Sequence, residues 1–382
     1  MLFFFAVKKI CYFYINCGKL FAKQLLKLKF MKRIVFILPM FAGLLFLLSC
    51  GEDPIEETEI IEVTEDVTEA TTWAGNSIYI IKKYDFYVDA DLTIMPGAII
   101  KFTDIGANLT IGSGGSITAN GEASNPIVFT AYSDDSKGGD SNDDGSSSAS
   151  AGAWGQIDVN GETANFNHCE FYYGGLGNGV TLNYESGSVG TVSNCTFKHN
   201  LGGPEGNYFN GVLHADGASS DFVVNNTTFE NNILPLTINA DISMDASNSF
   251  INNTYEGIFV SGTVNETTTW EETDVAYVYS GTSFQINNGG KLILGTGVVI
   301  KFLSDAEMYL YNGTNNLSSN YSDSSEVNYT SYLDDSIGGD SNGDGIATSP
   351  SSGDWKGIDI DPYNRANYAD WDNIHYDSGP VS

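Results

Sequence analysis

Beyond residue 66 the chain alternates apolar and polar side chains in runs of three to six residues, each broken by Gly, Asn or a polar turn. Gly115-Ser116-Ile117-Thr118-Ala119-Asn120-Gly121, followed by Pro126-Ile127-Val128-Phe129-Thr130, sets the pattern. A period of two belongs to strands with one face buried and one exposed. No long stretch past residue 50 has the spacing of an amphipathic helix, so the body is expected to be all-β.

The runs recur. Asn167-His168-Cys169-Glu170-Phe171, Ser193-Asn194-Cys195-Thr196-Phe197 and Asn225-Asn226-Thr227-Thr228-Phe229 share one pattern at spacings of 26 and 32 residues. A sandwich would need longer antiparallel strands joined by hairpins. Short strands in coils of roughly 20–30 residues, each unable to bury its apolar face alone, suit a solenoid. A right-handed parallel β-helix is therefore expected, with Ile100, Phe102, Ile117, Ile127, Phe129, Phe171, Phe197 and Phe229 pointing inward.

A longer repeat of about two hundred residues overlies this one. Ile99-Ile100-Lys101-Phe102 returns as Val299-Ile300-Lys301-Phe302, and Asp134 to Gly145 returns as Asp334 to Gly345 with two changes. Thr71-Thr72-Trp73 is echoed by Thr268-Thr269-Trp270, and Gly152-Ala153-Trp154 by Gly353-Asp354-Trp355. The reading is a first β-helix unit over 67–263 and an incomplete second copy over 264–382. The last residues, Trp371 to Gly379, align with Phe166 to Gly174, which sets Ile374 opposite Cys169. Cys169 and Cys195 hold matching places in successive strands. A disulfide is open to them in an exported protein, whereas an Ile in the matching place argues for a buried apolar position. Trp73, Trp154, Trp270 and Trp355 are tied to turns and are expected to pack rather than to serve as sugar platforms. The pattern at 115–130, with the acidic loops leading into Gly152-Ala153-Trp154-Gly155 and Gly353-Asp354-Trp355-Lys356-Gly357, resembles bacterial right-handed β-helix surface proteins. The resemblance spans residues of about 64–382 and is specific for architecture rather than activity.

The charge changes the picture at the amino terminus. The first fifty residues hold eight of the seventeen Lys and Arg and none of the forty-eight Asp and Glu. From Met31, Lys32-Arg33 precedes an apolar run, Ile34 to Leu48, that closes on Leu47-Leu48-Ser49-Cys50. The run is short for a membrane span of ~20 residues, and its end resembles a bacterial lipobox. That resemblance implies a signal peptide over 31–49, lipid on Cys50, and an upstream mis-start over 1–30. The acidic stretch 50–66 is too poor in apolar residues to fold and reads as a tether. It is similar to the surface-export signal of Bacteroidetes lipoproteins, which implies an outer-membrane lipoprotein facing outward, with the membrane as partner through the lipid anchor.

A net charge of −31 opposes nucleic-acid binding, which needs a basic surface. It suits capture of divalent cations. Asp140-x-Asn142-x-Asp144-Gly145 and Asp340-x-Asn342-x-Asp344-Gly345 resemble the front half of a calcium loop, with hard oxygens at alternate positions before a Gly. Asp134-Asp135 and Asp334-Asp335 stand upstream to complete the shell. The residue eleven places after the first ligand is Ala151 or Ser351, so no bidentate Glu closes an EF-hand. Ca2+ is the expected structural cofactor, and Lys137 is the one base in view, replaced by Ile337 in the second loop. Polysaccharide lyases and glycoside hydrolases of the β-helix type are the alternative. Lyases use an Arg or Lys base, and beyond the signal the only Arg is Arg365; no His-Gly pair of the hydrolase kind occurs. Flat Thr rows for ice or mineral would need Thr-x-Thr in each coil, and Thr227-Thr228 and Thr267-Thr268-Thr269 are too irregular. The expected function is a non-catalytic surface scaffold, an adhesin or glycan binder, with a polysaccharide or cell-surface ligand of unknown binding residues.

Overall fold

The computed structural model describes residues 58–103, 106–205, 208–314, 316–318, 327–360 and 374–377. The expected signal peptide, Cys50 and most of the tether lie outside them. Every regular element among the described residues is a strand.

The chain winds through three parallel ladders. Sheet A holds eight strands, from Ile60–Val63 to Ser249–Ile251; sheet B holds ten, from Asp85–Val88 to Asn328–Ser331; sheet C holds six, from Thr71–Trp73 to Val223–Asn225. One coil runs Ile99–Phe102 in A, Asn108–Ile111 in B and Ser116–Asn120 in C, then returns to A at Ile127–Ala131. This is the parallel β-helix expected from the alternation. It begins at Ile60–Val63, inside the stretch read as tether, as a half-exposed edge strand paired with Ile78–Ile81.

The inward residues stack like on like. All eight residues expected inside are at most 1% exposed. Phe129, Phe171, Phe197, Phe229 and Phe250 fall in one register, with ring centroids 5.0, 4.5, 5.3 and 5.2 Å apart and planes within 12° of parallel. Offset stacking of this kind adds to simple area burial.

The polar residues flanking each strand make the corners. His168, Asn194 and Asn226 take positive φ just before sheet A strands, and Tyr173, His199, Asn231 and Asn252 do so just after. Left-handed backbone favours Asn at such single positions. The next residues, Asn200, Asn232 and Asn253, are buried. Their amides donate to the carbonyls of Phe171, Phe197 and Phe229 at 2.9–3.0 Å. The side-chain oxygens of Asn232 and Asn253 accept the backbone N–H of Asn200 and Asn232. The short repeat is thus a ladder that satisfies buried backbone groups where no strand can.

The two copies do not stack face on face. Sheet A ends at Ser249–Ile251, and Ala276–Tyr279 and Val299–Phe302 extend sheet B, although their counterparts Ile78–Ile81 and Ile99–Phe102 lie in A. Two further ladders complete the second copy: sheet D (Thr267–Trp270, Lys291–Leu294, Leu317–Ser318) and sheet E (Ser283–Ile286, Glu307–Thr314, Gly357–Ile360). Met244, on the C side of its coil, bridges Trp270 of sheet D. The strand after that corner then arrives on B, one face later than in the first copy.

One detail departs from the sequence alignment. Ile374 pairs with Tyr329, as Phe171 pairs with Phe129, so its counterpart is Phe171 and not Cys169. Trp355 Nε1 donates to the His375 carbonyl as Trp154 Nε1 does to that of Tyr172, which gives the same offset. Separately, Gly203–Glu205 and Tyr208–Asn210 form an antiparallel hairpin that leaves the coil and lays Phe209 on Phe259, centroids 4.5 Å apart, over the outside of sheet B.

Candidate metal loops

Each acidic loop follows a strand whose penultimate residue is Thr, Thr130 or Thr330, and folds back over the outside of its own sheet. Gly138 lies on Ile78 and Ile99 of sheet A, where an added Cβ would come within 2.8 Å of the Ile78 side chain. Gly338 lies likewise on Ala276 and Val299 of sheet B, at 2.9 Å. Both have positive φ, so Gly alone meets the conformation and the space.

Beneath each loop lies a lysine that sequence reasoning missed. Lys101 and Lys301 occupy outward positions, yet both are 0% exposed because the loop covers them. Lys101 Nζ donates to the carbonyls of Asp134 and Gly139 at 2.9 and 3.0 Å; Lys301 Nζ donates to that of Gly339 at 2.5 Å. Burial pulls both ammonium groups below the usual lysine range, Lys301 to about 8, against the opposing pull of the loop carboxylates. The signal was the Lys retained in both copies inside an otherwise apolar strand. Lys137, expected to balance the first loop, instead pairs with Glu170 at 2.7 Å and Tyr172 at 3.1 Å. The second loop is therefore not without a cation.

The loop carboxylates divide by role. Asp134 and Asp334 are 1% exposed and close the turn. Oδ2 accepts the Thr130 or Thr330 hydroxyl at 2.7 Å, and Oδ1 accepts the Ser136 or Ser336 N–H at 3.1 Å. Asp135, Asp140 and Asp144 converge instead, each offering an oxygen within 4.8 Å of the others, and Asp335, Asp340 and Asp344 repeat the arrangement. Asn142 and Asn342 stand beside the group, their amides donating to Oδ2 of Asp144 and Asp344 at 2.8 and 3.2 Å.

The turn is built to hold these oxygens in place. Gly145 and Gly345 donate N–H to Oδ2 of Asp140 and Asp340 at 3.1 and 2.7 Å. Oδ1 of Asp135 and of Asp335 is buried and has no hydrogen-bond partner among the described residues. A buried carboxylate oxygen left unpaired is costly, and desolvation, then Asp340, raises the pKa of Asp335. Three crowded carboxylates with a spare oxygen form a donor set that fits a hard divalent cation. The second loop is the more enclosed. The Asp340 N–H donates to Glu256 Oε2 at 3.0 Å, the Glu256 N–H donates to the Asp340 carbonyl at 2.8 Å, and all three of its converging carboxylates are half-buried.

The other residues singled out in the sequence are core. Trp73, Trp154, Trp270 and Trp355 are at most 5% exposed and stack on Tyr79, Phe102, Tyr277 and Phe302 at 4.2–4.6 Å. Cys169 and Cys195 are free, buried thiols, and burial raises the Cys169 pKa. A polar row unremarked in the sequence runs along the outside of sheet B. Gln156 and Asn183 donate to Asp158 Oδ1 at 2.6 and 3.1 Å, and His214 Nε2 lies 2.9 Å from Asp216 Oδ1. Burial raises the Asp158 pKa, whereas the hydrogen bond to His214 lowers that of Asp216. Comparison of the chain with protein-family models, with curated proteins and with solved structures returns no match.

Proposed function

We propose that this chain is a non-catalytic, lipid-tethered cell-surface protein. Its β-helix is stabilised by one calcium ion in each acidic loop and serves as an adhesin or glycan-binding scaffold. The observation that carries the reading is the recurrence, in two loops two hundred residues apart, of three carboxylates meeting within 4.8 Å beside an unpaired buried oxygen. In each loop the three Asp would hold the ion, Asn142 or Asn342 would orient the third, and the ion would offset repulsion that the buried lysine only partly relieves. The surface location rests on Lys32 to Cys50 and the acidic residues after them.

The test is calorimetry and thermal melting of the chain with calcium and with chelator. A ligand bound only by the folded state adds RT ln(1 + [L]/Kd), about 2.7 kcal/mol at a hundredfold excess over Kd. Millimolar calcium should raise the melting temperature, and Asp340→Ala with Asp344→Ala should blunt the rise. No heat of binding and no calcium-dependent melting would reduce the loops to solvated turns.

One observation favours a second reading, a β-helix polysaccharide hydrolase. Asp158 and Asp216 sit on one outer face with their proton affinities pushed in opposite directions, as an acid and a base require. Incubation with polysaccharides decides: reducing-end products lost in Asp158→Asn would support the hydrolase, and binding without products the scaffold.

A further inference from the structure

A cleft of about 450 Å³ opens between the first acidic loop and the turn that carries Trp154. Tyr132 and Leu176 give it apolar surface, and Ser133, Ser148 and Ser150 line it. Among the described residues none of its lining side chains is charged, although the body around it is strongly acidic and Asn142, on its wall, touches the carboxylate cluster. Its volume lies in the range of small-ligand sites. From these features we infer that the cleft is a subsite for one neutral sugar residue of a larger glycan, which rests on the glycan-binding reading above.

The chemistry of the wall selects that ligand. The hydroxyls of Ser133, Ser148 and Ser150 make no hydrogen bond among the described residues, so they are free to exchange bonds with sugar hydroxyls. The Tyr132 ring is fixed in advance: its hydroxyl donates to the Ser141 carbonyl at 3.1 Å, and Lys82 Nζ sits 4.9 Å from its centroid. A wall ordered beforehand loses little freedom on binding. A uronate would bring its carboxylate beside Asp135, Asp140 and Asp144, whose three charges one divalent ion offsets only in part, so like charge still opposes it. The second copy carries Leu333 where the first has Ser133, so the site is assigned to the first loop.

Binding of the full chain to immobilised neutral oligosaccharides (cello-, manno- and chito-oligomers), with oligogalacturonate as the charged comparator, tests this in millimolar calcium. Ser150→Trp fills the cleft and should weaken binding of a neutral oligomer more than about tenfold. Ser133→Leu, which installs the residue of the second copy, should weaken it by several-fold. Both should melt within a degree or two of wild type, which separates a blocked cleft from an unfolded loop. Unchanged binding by Ser150→Trp overturns the cleft while leaving the glycan-binding reading intact. Binding of no oligomer, neutral or charged, by wild type overturns both, and preference for oligogalacturonate overturns the assignment to a neutral sugar.

Discussion

At the scale of single residues, the balance of burial and pairing is sharpest at Glu272. It is 1% exposed in the turn between Thr267–Trp270 and Ala276–Tyr279. Its Oε1 accepts the N–H groups of Thr273 and Asp274, and its Oε2 has no hydrogen-bond partner among the described residues. Burial raises its pKa above 4.5 despite those bonds. The folded state therefore holds this proton more tightly than the unfolded chain. The stability it contributes is complete below the ordinary carboxyl range and is lost as pH rises through the raised value. The melting temperature of Glu272→Gln should fall less than that of wild type as pH is taken upward from 4.5. Equal slopes for the two proteins would show that Glu272 does not sense the change. The Phe ladder makes a second demand at this scale. Phe197 is stacked above and below, so neighbours cannot collapse into its place, and Phe197→Ala should cost about 3–5 kcal/mol by denaturant unfolding.

At the scale of elements, each acidic loop and the strand beneath it are one structure. Lys101 ties the loop down through two backbone carbonyls. Lys101→Met would leave those acceptors unpaired at a cost of roughly 1–3 kcal/mol. Limited proteolysis should then cut between Ser133 and Ser147 faster than in wild type. Unaltered cleavage would mean that the loop is held by its own turn alone. The strands, their inward rows and the loops were legible in the sequence because a period of two and a run of Asp are local signals. The Ile374 mismatch was not, and the reason is physical. A slip of two residues preserves which side chains point inward, so parity cannot detect it. The buried lysine was hidden for a related reason: alternation marks position 101 as outward, but only the folded-back loop makes it buried. The division of the Asp residues was illegible as well, since Asp134 and Asp135 differ only in which one the Thr130 hydroxyl reaches.

For the whole molecule, sequence order says which strand follows which but not which ladder receives it. The step of the second copy from sheet A to sheet B was thus invisible until the coils were stacked. It makes sheet B the ladder that runs through both copies, from Asp85–Val88 to Asn328–Ser331. The outside of B is also where the Gly203–Asn210 hairpin and the second loop meet, through Phe209, Phe259 and Tyr332. Attachment to a membrane is a separate question with its own check. A clickable fatty acid fed to expressing cells should label the wild-type chain and spare Cys50→Ala, and equal labelling of both would remove the anchor.

The changed face also bears on valency. One loop is laid over sheet A and its twin over sheet B, so the two look out from different sides of the β-helix. A duplication that kept its face would let both copies grip one flat partner, and the second grip would strengthen the first through a high effective concentration. Here the twin lies over another sheet, and simultaneous engagement would call for two partners or for one that wraps around. Were both loops to meet a partner, duplication would add directions of contact rather than avidity.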